Sequence, residues 1–206
     1  MHIEFLEQSV EQNIVKEILQ WSKEVLEPNN QSFNDMPACP FAEKAWKDDK
    51  VSIMFKYEDN FQCLYTVVSC FDDNFDLSII IDLNYQKDPE AFHQYLYDMN
   101  NAIADGMFIN KDVWLMGFHP DDDGNEFVAD AATDFEPLVD TEYAMIFVQR
   151  LSKLQESADK LKKRGYYKVY EQDYNAKELF DHRSTLYRRL KNGNASQKED
   201  EKRRYG

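Results

Sequence analysis

The chain has 206 residues, of which 43% are apolar, 14% aromatic and 31% charged, and its formal net charge is −15. That length can bury one proper core, and no apolar run approaches the roughly 18 residues that a membrane-spanning helix requires. The opening MHIEFLEQSVEQ is acidic and amphipathic where a secretory leader would be basic and then apolar. Three cysteines without framework spacing predict a reducing, cytoplasmic setting and no disulfides.

Charge is spread unevenly. Met1 to Gln149 carries 30 acidic and 8 basic side chains, a net of −22, whereas Arg150 to Gly206 carries 16 basic and 9 acidic, a net of +7. The acidic body would repel nucleic acid, while the basic part could contact phosphate or another acidic surface. A solvated face on an ordinary basic helix explains the same pattern.

Phe5 to Leu26 reads as a helix, with Leu6, Val10, Ile14, Ile18 and Val25 near the 3.6-residue period and Pro28, Asn29 and Asn30 ending it. A polar loop from Gln31 to Ala38 leads to a short helix from Pro40 to Lys47, because proline fits the first helical position. VSIMFKY, from Val51 to Tyr57, is a strand; Phe61 to Phe71 fits either a strand or a helix; and Leu77 to Tyr85 is a buried strand. Asp88 caps a helix from Pro89 to Ala104 that turns Phe92, Leu96 and Met99 inward. Val113 to Phe118 is the next strand, and an aspartate-rich loop follows from Pro120 to Thr141, a length that marks function or mobility.

Glu142 to Arg164 is expected as one long helix ended by Gly165, Tyr166 to Tyr170 as a strand, and Ala176 to Leu190 as a last helix before a frayed charged tail. The alternation predicts an α/β or α+β fold in which helices flank a small mixed sheet of about three to four strands, with a helical C-terminal part. Residues 1–170 would form the single domain and 171–206 the C-terminal helix and flexible tail.

Two stretches draw chemical attention. MPACPFAEKAW places Cys39 where a helix begins, so that free backbone N–H groups could stabilise a thiolate, although the surrounding acids oppose its formation. WLMGFHPDDDGNEF places His119 just past the C-terminal end of a strand, the edge where open α/β sheets build their sites. An imidazole beside the thiol could serve as its base, or both could bind a metal. Cys39 as a small buried hydrophobe is the plainer alternative.

The order of these motifs resembles a bacterial family of unknown function whose members carry LCPFA and a later SFHP or TFHP. The matching residues are Trp21, Cys39-Pro40-Phe41-Ala42, Phe118-His119-Pro120 and Tyr143-Ala144-Met145, within a span from Gln12 to Leu161. The resemblance implies no particular activity, but it makes CPFA and FHP hallmark positions and favours a joint site of Cys39, His119 and Asp121. The chain departs from the family pattern at Val139-Asp140-Thr141-Glu142, where the family has an asparagine–arginine–serine–proline run. It also departs in the aspartate string after FHP and in a longer loop before CPFA. If the family arginine holds an anion, this chain has lost that group.

Beyond a divalent metal held by His119, Asp121 and Asp123, the sequence specifies no cofactor. His119-Pro120-Asp121 with His182 imitates a two-histidine, one-carboxylate iron site, with Arg188 or Arg189 as an anion clamp, but that pattern belongs to a β-sandwich. Asp121, Asp123, Gly124 and Asp130 imitate part of a calcium loop, with His119 a poor first ligand for a hard cation; a solvated turn accounts for them too. Cys63 and Cys70 are explained by core packing, His93 by a half-buried helix position, and Tyr166, Tyr167 and Tyr170 by core next to a helix end rather than by base stacking. The abundant asparagine, lysine and tyrosine match the composition of an AT-rich, phage-like genome.

Three functions fit these residues: a small cytoplasmic enzyme built on Cys39 and His119, a non-catalytic acidic protein that binds a protein partner, and a nucleic-acid or assembly contact through the basic C-terminal helix. A membrane partner is not expected.

Overall fold

The computed structural model describes residues 2–108, 112–122, 135–168 and 174–205. Helix α1 (His2–Trp21) runs into a π-helical turn, Ser22–Leu26, and a two-stranded antiparallel ribbon follows from β1 (Asn29–Asn30) and β2 (Met36–Pro37). Then come α2 (Ala42–Lys47), β3 (Val51–Lys56), α3 (Gln62–Cys70), β4 (Leu77–Asp82), α4 (Pro89–Ala104), β5 (Trp114–Phe118), β6 (Ala144–Gln149), α5 (Leu151–Lys163) and α6 (Tyr174–Tyr205). This is the expected mixture of helix and strand: a four-stranded mixed sheet, a two-stranded ribbon and, among the described residues, six α-helices.

The main sheet has the order β3-β4-β6-β5, with β3 parallel to β4 and β6 antiparallel to both its neighbours. Alternation along the strands separates two faces. Ile80, Leu115, Ile146 and Val148 point to a layer formed by α3 and α4, where Leu64, Val68, Phe92, Leu96 and Ile103 complete one core. Ile79, Ile81 and Phe147 point the other way, onto Ile14 and Ile18 of α1. Parallel strands need a crossover, and α3 supplies it for β3 and β4. Gly117 in β5 lets α4 lie close, since a Cβ there would come within 2.4 Å of Leu96 and 2.5 Å of Phe92.

Two polar side chains fasten the layers. Asn100, 3% exposed, bonds both backbone groups of Leu115: its Nδ2 donates to the carbonyl at 2.9 Å and its Oδ1 accepts from the N–H at 2.8 Å. Those groups sit on an edge strand with no second neighbour, so the amide stands in for a missing strand. Buried Glu17 accepts from the backbone N–H groups of Leu138 and Val139 and from the Tyr143 hydroxyl, which ties the segment before β6 to α1.

Several expectations are corrected. The single helix from Glu142 to Arg164 is a strand followed by a helix, because Ala144 to Gln149 is the strand between β4 and β5 and is buried on both faces. The stretch from Phe61 to Phe71 settles as α3, and β4 stops at Asp82 rather than Tyr85. Residues 164–168 form a turn where a strand was expected, and Tyr170 lies outside the described residues. Helix α6 continues to Tyr205 in place of a frayed tail, and its Leu186 and Tyr187 are buried with Trp114 and Leu151. No described helix is long and apolar enough to cross a membrane.

Candidate functional site

His119 occupies the expected position just beyond the C-terminal end of β5, on the α3/α4 face, and its side chain is fully buried. The Asp121 N–H donates to its Nδ1 at 3.1 Å, so the proton lies on Nε2, which donates to the Gln86 carbonyl at 2.9 Å. Tyr85 meets the ring edge-on at 5.1 Å and Phe92 lies 5.5 Å away. Both nitrogens are thus spent on backbone partners. The imidazole joins the end of β5 to the loop before α4.

Asp122 completes that clasp. Its Oδ2 accepts from the His119 N–H at 2.9 Å and its Oδ1 lies 2.7 Å from His93 Nε2. Burial pushes the Asp122 carboxyl up, but the His93 hydrogen bond, the His119 N–H and the two imidazoles together hold it below the usual carboxylate range. Asp121, 64% exposed at its side chain, stands 4.0 Å from His119 Nδ1.

Cys39 lies elsewhere. Its N–H donates to the Leu26 carbonyl at 2.9 Å, just past α1, and Tyr166 donates to the neighbouring Ala38 carbonyl. Burial pushes its thiol above the ordinary value, outweighing the Phe41 and Ala42 N–H groups that draw it down, while Glu27 adds to the rise. The helix-start effect expected from the sequence is present, and desolvation exceeds it. Cys39 follows Ala38, which packs with Phe33, Met36, Leu161 and Tyr166, whereas His119 packs with Tyr85 and Phe92. No hydrogen bond, ion pair or ring contact joins the two among the described residues.

The metal readings divide likewise. His119 and Asp121 adjoin, but Asp123, Gly124 and Asp130 lie outside the described residues. Among the described residues no three His, Cys, Asp or Glu side chains gather as a metal site. His182 stacks on Tyr97 at 3.9 Å and bonds Asn101 at 3.2 Å. His119 instead touches Phe92, five residues before Tyr97 and nine before Asn101, so the two imidazoles contact different turns of α4. Arg189 faces Asp105 at 3.7 Å and Arg188 bonds Ser184 and Thr185, so neither serves as a clamp there.

The concavity with mixed chemistry is a different one. Strands β3 and β4 end in register at Lys56 and Asp82. Beyond them α3 and α4 diverge around a cavity of about 220 Å³, walled by Phe61, Leu64, Ile80, Phe92 and Ile146. Its floor is an ion pair between half-buried Lys56 and buried Asp82: Lys56 Nζ bonds both Asp82 oxygens at 2.8 Å and the Asn84 carbonyl at 3.2 Å. All three ammonium protons are spent. Asp59, Gln86 and Tyr95 complete the lining, and the Tyr95 hydroxyl has no hydrogen-bond partner among the described residues. Burial, and then the Asp82 charge, push Tyr95 up to about 12.

Sequence reasoning passed over this cleft. Its signal was there: VSIMFK and LSIIID are strands of equal length that close on opposite charges.

No family model, no curated protein and no solved structure matches the chain.

Proposed function

We propose that the chain is a small-ligand-binding protein whose site is the cleft beyond Lys56 and Asp82, and that binding rather than chemistry is its role. One observation carries this reading. An apolar-walled cavity opens at the carboxyl edge of a parallel strand pair, where α/β sheets hold ligands, and its floor is an ion pair already satisfied by its own partners. Such a floor can orient a ligand without reacting with it. His119, with both nitrogens engaged, and Cys39, with its thiol pushed toward the neutral form, support the same side of the argument. On this reading the chain is a divergent relative of the CPFA and FHP family, with those motifs acting as clasps of the fold. Three free cysteines support a cytoplasmic setting, and the acidic body disfavours nucleic acid as the ligand.

The test is a fragment screen by amide-resolved NMR on the full chain, alongside Ala91→Trp, which fills the cleft from the first turn of α4. Fragments are expected to move the amides around Asn60, Leu64 and Phe92, and to lose that effect in the variant. Fragments that bind both proteins alike, or none that moves those amides, would overturn the assignment.

A further inference from the structure

The polar groups of this cleft are unequal in what they have left to offer, and the imbalance points to a class of ligand. Lys56 has no donor to spare. Asp82 Oδ1 accepts from Lys56 and from the Asn84 N–H, but Oδ2 accepts from Lys56 alone, which leaves it lone-pair capacity. Asp59, at the rim, has no ion-pair partner among the described residues. Asn60 donates one amide proton to Glu58 and accepts from the Gln62 N–H, which leaves it one amide proton. The spare donors, on Asn60, Gln86 and Tyr95, are all neutral, whereas the spare acceptors on Asp59 and Asp82 are carboxylate oxygens.

Charge and aromatic placement agree with that contrast. With Lys56 and Asp82 cancelling, Asp59 leaves the lining net negative, within a body of net −22 from Met1 to Gln149. Phe61, 65% exposed, and Tyr95 stand at the mouth with ring centroids 5.8 Å apart and planes at 37°, a spacing that offers ring faces to a cation. The opposing influence is that α3 and α4 both begin here, and helix starts favour anions. Each start is already capped, α3 by the Asn60 carbonyl on the Gln62 N–H and α4 by the Asp88 carboxylate on the Ala91 N–H, and the second cap is itself negative.

Resting on the assignment of the cleft as the ligand site, we infer that its ligand is a small organic cation: an aromatic or alkyl body with a primary ammonium group. The body lies against Phe61, Leu64 and Phe92. The ammonium group reaches Asp59 and the free lone pair of Asp82.

Three probes of one size and shape test this on the full chain: 2-phenylethylamine, cationic at neutral pH, 2-phenylethanol, neutral, and phenylacetate, anionic. Dissociation constants come from the shifts of the Asn60, Leu64 and Phe92 amides. The amine is expected to bind about tenfold more tightly than the alcohol, with phenylacetate weakest. Asp59→Asn, an exposed change that leaves the core intact, should remove most of that preference while leaving the alcohol's affinity unchanged. Equal binding of amine and alcohol, tighter binding of phenylacetate, or an unaltered preference in Asp59→Asn would overturn the cation inference and leave the site standing. Failure of all three probes to move those amides would overturn the site and the inference with it.

Discussion

Replacing Asn100 by leucine removes the amide that replaces a neighbouring strand for β5 while keeping nearly the same shape. The Leu115 N–H and carbonyl, bonded at 2.8 and 2.9 Å, would both remain buried without partners. Each such group costs about 1–3 kcal/mol, so the pair costs about 2–6 kcal/mol. The leucine side chain, buried where the amide was, returns roughly 2 kcal/mol. The net loss expected is about 0–4 kcal/mol, centred near 2 kcal/mol, read from the midpoint of urea denaturation at unchanged slope.

Asn100→Asp separates hydrogen bonding from shape. A carboxylate still accepts from the Leu115 N–H but sets a second negative oxygen against the Leu115 carbonyl; once protonated, it can donate there. The introduced carboxyl therefore has a folded pKa above its unfolded value of about 3.9. Its favourable contribution is complete below that value and is lost as pH rises through the folded pKa. The gap between Asn100→Asp and the parent chain should narrow as pH falls from neutrality toward about 4. Exchange of the Leu115 amide should quicken in Asn100→Leu. A Leu115 amide as protected in Asn100→Leu as in the parent chain would refute the account of β5 as an edge closed from within.

His182 is held below its usual value by burial and then by Arg189, so the unfolded chain takes up its proton first on acidification. Stability is then whole above about pH 6.5 and declines as pH falls below it, and His182→Phe, which can keep the stack on Tyr97, should flatten that decline in urea titrations. An unchanged slope would assign it to other groups. For the cysteines, native-state labelling with a thiol reagent at pH 8 should modify exposed Cys70 first and Cys39 last, because burial keeps the Cys39 thiol protonated. Labelling of Cys39 at the rate of Cys70 would contradict the raised thiol of half-buried Cys39.

The helices with strong punctuation were legible before any coordinates. Asp88 followed by Pro89 announces α4, and the Asp88 carboxylate does accept the Ala91 N–H. Residues 144–149 were not legible, for a physical reason. AMIFVQ lies between β4 and β5 with apolar partners above and below, so neither a period of two nor one of 3.6 is impressed on it, and the helical pattern of α5 simply extends backward over it. His119 illustrates the same limit at the level of chemistry. Its position at a strand end was readable, but its capacity to act depends on the Gln86 carbonyl and the Asp121 N–H, and backbone groups leave no mark in residue identity.

Lys56 and Asp82 are the reverse case, because their placement constrains the topology. In the parallel register Lys56 lies opposite Asp82 and Val51 opposite Leu77. An antiparallel pairing of the same strands would set Lys56 against Leu77 and Asp82 against Val51, leaving the buried Asp82 carboxylate without its ammonium partner. The two terminal charges thus select parallel pairing. Parallel pairing demands a crossover, which is α3, and the departure of α3 from the sheet edge opens the cleft above the pair. One pair of side chains therefore orients the strands and supplies the floor of the ligand site, so a change at either residue should disturb fold and binding together, whereas Asp59, outside the pair, affects binding alone.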